Sequence, residues 1–246
     1  MSDNTLNALF EKYRDEHEDA ILSEGIERLC NDLGYKPDEF GILVLAWRLD
    51  ASQMCRFTRS EFIQGLQELK ADSIEEIRNR IEQTIEKLKT DSEQFKHLYR
   101  FTFRFGLEPD NRIVLLEMAI ILWRLVFTIH TPDILERWLN YLERHTNIRG
   151  IPKDTWNMFL NFAAETCDIT KYDDTEAWPS LFDDFVEYET DRTNQNLSKA
   201  TDNNTRITEE VSTDDDTILD RNVSDSNPAT CYSAASNYSV NHTNHL

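Results

Sequence analysis

Along the first 189 positions, apolar residues recur at the three-and-four spacing of a helix face, and beyond them the recurrence stops. Leu6, Leu9, Phe10 and Tyr13 form the first stripe; Ile26, Leu29 and Leu33 form a second that ends near Gly34. Residues at i, i+3, i+4 and i+7 share one side of an α-helix, so the pattern predicts amphipathic helices throughout. A third helix follows Pro37, with Phe40, Leu43, Val44 and Trp47 facing inward. Thr58 and Glu61 stand in capping-box relation and open a helix carrying Phe62, Leu66 and Leu69. Asp72 with Glu75 opens another, with Ile77, Ile81 and Leu88, and Thr90 with Glu93 opens the next, with Phe95, Leu98 and Phe105 before a Gly106 cap. Further helices carry Leu116, Ala119, Ile120 and Trp123, then Ile134, Leu135, Trp138 and Leu142. The last two start near Pro152, with Trp156, Phe159 and Leu160, and at Pro179, with Phe182, Phe185 and Val186. The expected fold class is all-α.

Composition changes near Tyr188. Residues 190–246 are polar and rich in Ser, Thr and Asn, so they bury too little surface to offset their ordering entropy. The expected organisation is a flexible N-terminus over 1–4, a helical domain over 5–189 and a disordered acidic tail over 190–246. The formal net charge is −20, and only about −5 of it falls in the tail, so the folded part is itself acidic. Such a field repels phosphate backbones and attracts basic protein surfaces, although solubility alone accounts for it equally well. Nucleic acid is therefore not an expected partner.

There is no basic start followed by an apolar run, and no stretch approaches the 18 or so apolar residues of a membrane helix. Ser2 stands where N-myristoylation requires glycine. The four cysteines, Cys30, Cys55, Cys167 and Cys231, are widely spaced, which fits unpaired thiols in a reducing compartment. The expectation is a monomer in the cytoplasm and/or nucleus, with no membrane partner.

The first two helix–loop–helix pairs have the outline of EF-hands, so their loops are tested for calcium. In the second, Asp50 and Glu61 occupy positions one and twelve and Phe57 the apolar position eight. Positions three, five and six, however, are Ser52, Met54 and Cys55, where a hard cation requires oxygen ligands and a glycine turn. The first, Asp15 to Ile26, ends without the bidentate glutamate. Neither is expected to bind calcium. His17, His97, His130 and His145 fall at unrelated spacings, and the His242/His245 pair lies in the tail, so no metal or other cofactor is expected. Phosphate-loop, nucleophile-elbow and HExxH motifs are absent. Cys55 has no adjacent general base in Met54, Arg56 or Phe57, so a small buried thiol is expected rather than a nucleophile. No catalytic residue is identified.

Two runs remain. IPKDTWN (151–157) places Asp154 in the first turn of a helix, where a carboxylate is stabilised by exposed N–H groups whatever else it does. EAWPSLFDDFVE (176–187) places Asp183 and Asp184 just inside another helix. These acids read either as a solvated face or, beside the small Ala177, as an acceptor for Lys or Arg.

These runs, with CNDLG (30–34), LAWRLDASQMCRFTRSEF (45–62), YRFTFRFG (99–106) and LEMAIILW (116–123), resemble the defective-in-cullin-neddylation family, built on the potentiating-neddylation domain. The resemblance covers residues 5–189 and implies calcium-free EF-hand-like pairs followed by a further helical bundle. It also implies a non-catalytic, scaffold-type ligase component within cullin-RING ligase complexes. Such a component binds the neddylation-conjugating enzyme and a cullin together and promotes transfer of the modifier. By motif match, the surface that contacts the basic C-terminal region of the cullin corresponds to Asp154, Ala177 and Asp183. The pocket for the acetylated N-terminal methionine of the conjugating enzyme corresponds to Ile26, Ile42, Leu45, Ala46, Met54, Cys55, Phe57, Phe105, Leu122 and Leu125. Met54 and Leu122 depart from the glutamine and tyrosine of familiar members, so a polar peptide contact is lost or moved to backbone. The ubiquitin-associated domain of some members is not expected. Read without the resemblance, the same residues describe a helical EF-hand-like adaptor for some other basic or amphipathic partner.

Overall fold

The computed structural model describes residues 3–166, 169–173 and 175–209, with side chains over 4–166, 169–173 and 175–195. Residues 210–246, most of the expected tail, lie outside the described residues, as do Cys167 and the His242/His245 pair. The described residues fall into two compact units, one up to Leu160 and one from Asn161 onward.

The first unit is built from paired helix–loop–helix elements. Helices α1 (Asp3–Tyr13) and α2 (Ser23–Leu33) flank a loop with strand β1 (Ala20–Ile21), and α3 (Phe40–Arg48) and α4 (Arg59–Leu69) flank a loop with β2 (Phe57–Thr58). The strands pair antiparallel, with Ala20 opposite Thr58 and Ile21 opposite Phe57. The expected frame put Leu22 at position eight, so the real register starts one residue earlier. The helix begins at Asp3, inside the segment expected to be flexible. Leu6, Phe10, Tyr13, Leu29, Leu33, Phe62 and Leu66 are buried as their spacing predicts. Trp47 is only half-buried, with the Arg48 guanidinium 5.5 Å from its ring.

Helix starts follow local hydrogen-bond chemistry. The Thr58–Glu61 capping box is present as predicted. The next two slip by one residue. For α5 (Ile74–Leu88) the cap is Ser73, accepting from the Glu76 amide at 3.3 Å, while the Asp72 amide donates to Glu76 at 2.9 Å. For α6 (Ser92–Phe105) it is Asp91, which accepts from the Gln94 amide at 3.0 Å and from the Gln94 side chain at 2.7 Å. A carboxylate outcompetes the neighbouring Thr90 hydroxyl for the orphan amides.

A second pairing follows that the periodicity did not reveal. Strand β3 (Ile113–Leu115) leads into α7 (Leu116–Val126); α8 (Leu135–Arg144) is followed by β4 (Gly150–Pro152) and α9 (Lys153–Glu165), which runs across the unit boundary. Val114 pairs with Ile151 and Leu115 with Gly150. A side chain at 150 would lie 2.5 Å from the Val114 carbonyl oxygen, so only glycine admits this approach.

The core here is a hydrogen-bonded aromatic knot. The Trp123 and Trp156 rings stack at 4.7 Å and 9°, and Tyr99 stacks on Trp156 at 5.0 Å. Trp123 Nε1 donates to the Tyr99 hydroxyl at 2.8 Å, and that hydroxyl donates to the Trp156 carbonyl at 2.7 Å. Trp156 Nε1 returns to the Tyr99 carbonyl at 3.0 Å. Burial pushes the Tyr99 hydroxyl well above its ordinary pKa, only partly opposed by the Trp123 donor, so it remains a neutral donor and acceptor.

In the second unit, Phe162 stacks on Phe182 at 4.4 Å, with Tyr172, Trp178 and Phe185 around it. Helix α10 (Ser180–Glu209) continues past Thr190, where composition placed the start of the tail. No Gly or Pro interrupts it, Thr190 and Thr193 bond back to the Val186 and Glu189 carbonyls, and the buried Glu189 pairs with Arg192 at 2.9 Å.

Replacing Tyr99 with Phe keeps the ring and strands the Trp123 indole donor in the core. Urea unfolding should show a loss of about 1–3 kcal/mol; an unchanged midpoint would mean that the knot is held by ring packing alone.

Candidate functional site

Glu61 Oε1 accepts the Ser52 amide at 2.8 Å and Oε2 accepts the Thr58 amide at 2.7 Å, so the twelfth-position carboxylate closes its own loop. Asp50, at position one, is turned to Arg104. Cys55, at position six, has φ +58°, the left-handed turn that a glycine makes in a cation loop. That turn carries its side chain outward: the expected buried thiol is exposed.

In the first loop, Arg59 binds Asp19 through Nε at 2.9 Å and Nη2 at 2.6 Å, and Glu11 at 2.5 Å, with its guanidinium 4.3 Å from the Phe10 ring. Glu18 pairs with Arg56, and Arg14 adds a second cation at Glu11. Arg59 holds the Glu11 and Asp19 carboxyls below their ordinary range. Among the described residues, no group of three His, Cys, Asp or Glu side chains is placed to hold a metal ion.

The apolar candidates lie in the first unit. Helices α3, α6 and α7 pack on one another. They carry Ile42, Leu45 and Ala46 (α3), Phe105 (α6), and Leu122 and Leu125 (α7). The α3 residues and Leu122 are buried, whereas Phe105 and Leu125 are half-buried. Leu122 covers Gly106, since a Cβ there would lie 2.2 Å from Leu122 Cδ1; this brings it to the end of α6, beside Phe105. Phe105 stacks on Phe101 at 5.3 Å. The loop carrying half-buried Met54 and exposed Cys55 is tied to this end of α6 by the Asp50–Arg104 pair. Ile26 is buried on α2 of the first helix pair and Phe57 on β2 of the second. None of the ten lines the shallow depression of about 470 Å³ formed by Asp19, Thr58, Arg59, Ser60, Ile63 and Gln64.

The structure adds two residues that spacing assigned to no face. Ile121 is 57% exposed and Leu115 46% exposed, the largest exposed apolar side chains among the described residues. Ile121 lies one turn from Leu125 and three residues from half-buried Met118, so an apolar strip runs along the outside of α7. The signal was present in the sequence: LEMAIILWRLV is charged only at Glu117 and Arg124, and its other nine residues are too many for one buried face.

The acidic candidates are all exposed. Asp154 sits in the first turn of α9, two residues before Trp156 of the aromatic knot. Ala177 and Asp183 belong to the second unit. On either side of Ala177 the contacts are local: Asp173 accepts from the Thr175 amide and hydroxyl at 2.9 and 2.6 Å, and the Trp178 amide reaches the Glu176 carbonyl at 2.9 Å. Trp178 packs edge-on to Phe162 and Phe182, which anchors the Ala177 backbone and leaves its methyl outside. Asp183 accepts from the Tyr172 hydroxyl at 2.5 Å. Nearby, burial and then the Glu176 charge raise the Glu165 carboxyl above its ordinary range.

A family profile described as cullin binding matches residues 76–188. DCN1-like protein 3 of Drosophila melanogaster is 67% identical over 193 residues, covering 78% of this chain and 58% of that protein. The human and Xenopus laevis proteins of the same name are 51% and 50% identical over 191 residues, each covering 76% of this chain and 62% and 63% of the relative. The chain thus spans about six-tenths of the length of these relatives. No helix among the described residues is long and apolar enough to cross a membrane.

Burial pushes the Glu61 carboxyl up, but the Ser52 and Thr58 donors more than offset it, leaving it below its ordinary range. A depressed carboxylate contributes stability that is present above the unfolded-state value and lost as pH falls through the folded one. The unfolding midpoint should therefore drop on acidification through and below the glutamate range, and Glu61→Gln should flatten that part of the profile. Calcium at millimolar concentration should give no binding heat by calorimetry.

Proposed function

The chain belongs to the defective-in-cullin-neddylation family of DCN1-like proteins, and on that premise we propose that it is a non-catalytic scaffold for cullin neddylation. In this reading it binds a cullin and the neddylation-conjugating enzyme together. The observation that carries it is that the cullin-binding profile spans residues 76–188, which include Asp154, Ala177 and Asp183, and all three side chains are exposed.

Asp154 and Asp183 accept Lys or Arg from the basic C-terminal region of the cullin, and Ala177 is small enough to let that region approach. Exposed ion pairs contribute only about 0–1 kcal/mol each, so these carboxylates steer and orient more than they hold. The α3–α6–α7 junction takes the acetylated N-terminal methionine of the conjugating enzyme, with the exposed strip at Ile121 extending its rim. Burial of one methionine contributes roughly 1.5–3 kcal/mol, and acetylation removes an ammonium that would be costly to desolvate. Leu122 supplies no hydroxyl, so peptide polar groups are met by backbone. Tethering both partners raises effective concentration and narrows the approach of thioester to acceptor lysine, with no group of this chain touching the reacting atoms.

The direct test is neddylation with purified components. Added chain should raise the rate of transfer to the cullin only when the conjugating enzyme is present, and no reductant-sensitive adduct of the modifier should form on Cys55. Asp154→Ala with Asp183→Lys should weaken cullin binding about tenfold or more without altering thermal unfolding; unchanged affinity would remove the acidic-surface assignment. An acetylated N-terminal peptide of the conjugating enzyme should bind more tightly than its free-amine form, and Ile121→Glu should weaken it. Equal affinities for the two peptides would remove the apolar-junction assignment.

A further inference from the structure

Asp183 does not stand alone on its surface. The hydroxyl of Tyr172, eleven residues earlier and just after the 3-10 turn Ile169–Lys171, donates to Asp183 Oδ1 at 2.5 Å, within the range of charge-assisted O–H···O⁻ bonds. Both ends of that bond are fixed from below. The Tyr172 ring stands edge-on to Phe162 at 5.9 Å and lies 6.4 Å from Trp178, while Phe162 stacks on Phe182, the residue before Asp183 on α10. One aromatic cluster therefore sets the donor and the acceptor, and an exposed aspartate that would otherwise sample several rotamers is held in one.

We infer that Tyr172 is a positioning residue: its phenol holds the Asp183 carboxylate in the orientation that receives a basic side chain of the partner. This rests on the reading of Asp183 as a cullin contact. A phenol suits the task for a chemical reason. It uses one acceptor site of a carboxylate that has about four, and being neutral it leaves the negative charge intact for an incoming ammonium or guanidinium. An arginine in its place would orient Asp183 equally well and cancel what the partner reads.

The test is a double-mutant cycle using the purified basic C-terminal region of a cullin as probe. Tyr172→Phe keeps the ring in its cluster and removes only the donor; it should weaken binding about three- to tenfold, the effect of freeing one ordered side chain at an interface. Asp183→Ala should weaken binding as well, and adding Tyr172→Phe to it should change nothing further, because the tyrosine acts through the aspartate. Loss of the same size in both backgrounds, or no loss from Tyr172→Phe alone, would overturn the inference while leaving the docking reading in place. If Asp183→Ala binds as tightly as the parent, the docking reading falls and the inference falls with it. A second readout needs no partner. The side-chain carboxyl carbon resonance of Asp183, assigned by its absence in Asp183→Ala, should move in Tyr172→Phe while that of Asp184 stays; an unmoved Asp183 signal would also overturn the inference.

Discussion

The hydrogen-bonded stack of Tyr99, Trp123 and Trp156 is the constraint on which the first unit hangs. Three large rings from α6, α7 and α9 meet in the dry interior, each polar group partnered by another member of the stack. Ring packing holds the helices together but is indifferent to which polar groups face one another. The three hydrogen bonds are not indifferent: slipping one helix by a residue would leave a buried donor or acceptor unpaired. What depends on this is position. Phe105 lies six residues after Tyr99 on α6, Leu122 and Leu125 flank Trp123 on α7, and Asp154 precedes Trp156 by two residues on α9. An apolar junction and an exposed carboxylate thus take their placement from one knot.

The paired loops show a second way of holding a shape. In a calcium-binding pair, the cation gathers the loop carboxylates and sets the angle between helices. Here the same carboxylates are gathered by groups of the chain itself. Arg59 draws Glu11 and Asp19 together, Arg56 takes Glu18, and Glu61 turns inward onto two amides of its own loop. Even the left-handed turn at position six survives, carried by Cys55 without a glycine. The helix pair is therefore held by ion pairs and hydrogen bonds of the chain itself.

Much of this was legible in the residues, for reasons that differ by element. The stripe Leu6, Phe10 and Tyr13 and the Thr58–Glu61 box are local, and local patterns fixed α1 and α4. The Ser73 and Asp91 caps were read one residue early because Asp72 and Thr90 also fit the motif, and only competition among donors and acceptors decides between them. The β3–β4 pairing was invisible because three-residue strands have no period to read, and its key is the clearance at Gly150. At the sites, periodicity marked Leu45 and Leu122 as core and nothing more. Their assignment to a pocket came from motif resemblance, and so did the choice of Asp183 over Asp184. The Tyr172–Asp183 bond had no sequence signal, since Tyr172 follows a 3-10 turn and Asp183 lies on α10, and periodicity within one element cannot join two.

A chain of net charge −20 raises a problem of discrimination, because net negative charge attracts basic surfaces of any kind. Attraction of that kind speeds encounter, but it falls off within a Debye length of about 8 Å at physiological ionic strength and does not select a pose. Selection requires carboxylates that are both charged and fixed. Many acids of this chain are fixed but spoken for: Glu11, Glu18, Asp19, Asp50, Glu136 and Glu143 all face arginines of the chain itself. An acid left to wave in solvent has the charge without the geometry, and ordering it on binding would consume much of the small energy that an exposed ion pair supplies. A carboxylate oriented by a neutral hydroxyl escapes both difficulties, because its entropy is already lost in the folded chain and its charge is still available. On an acidic surface, it is the identity of the donor behind each carboxylate that separates a docking point from background field.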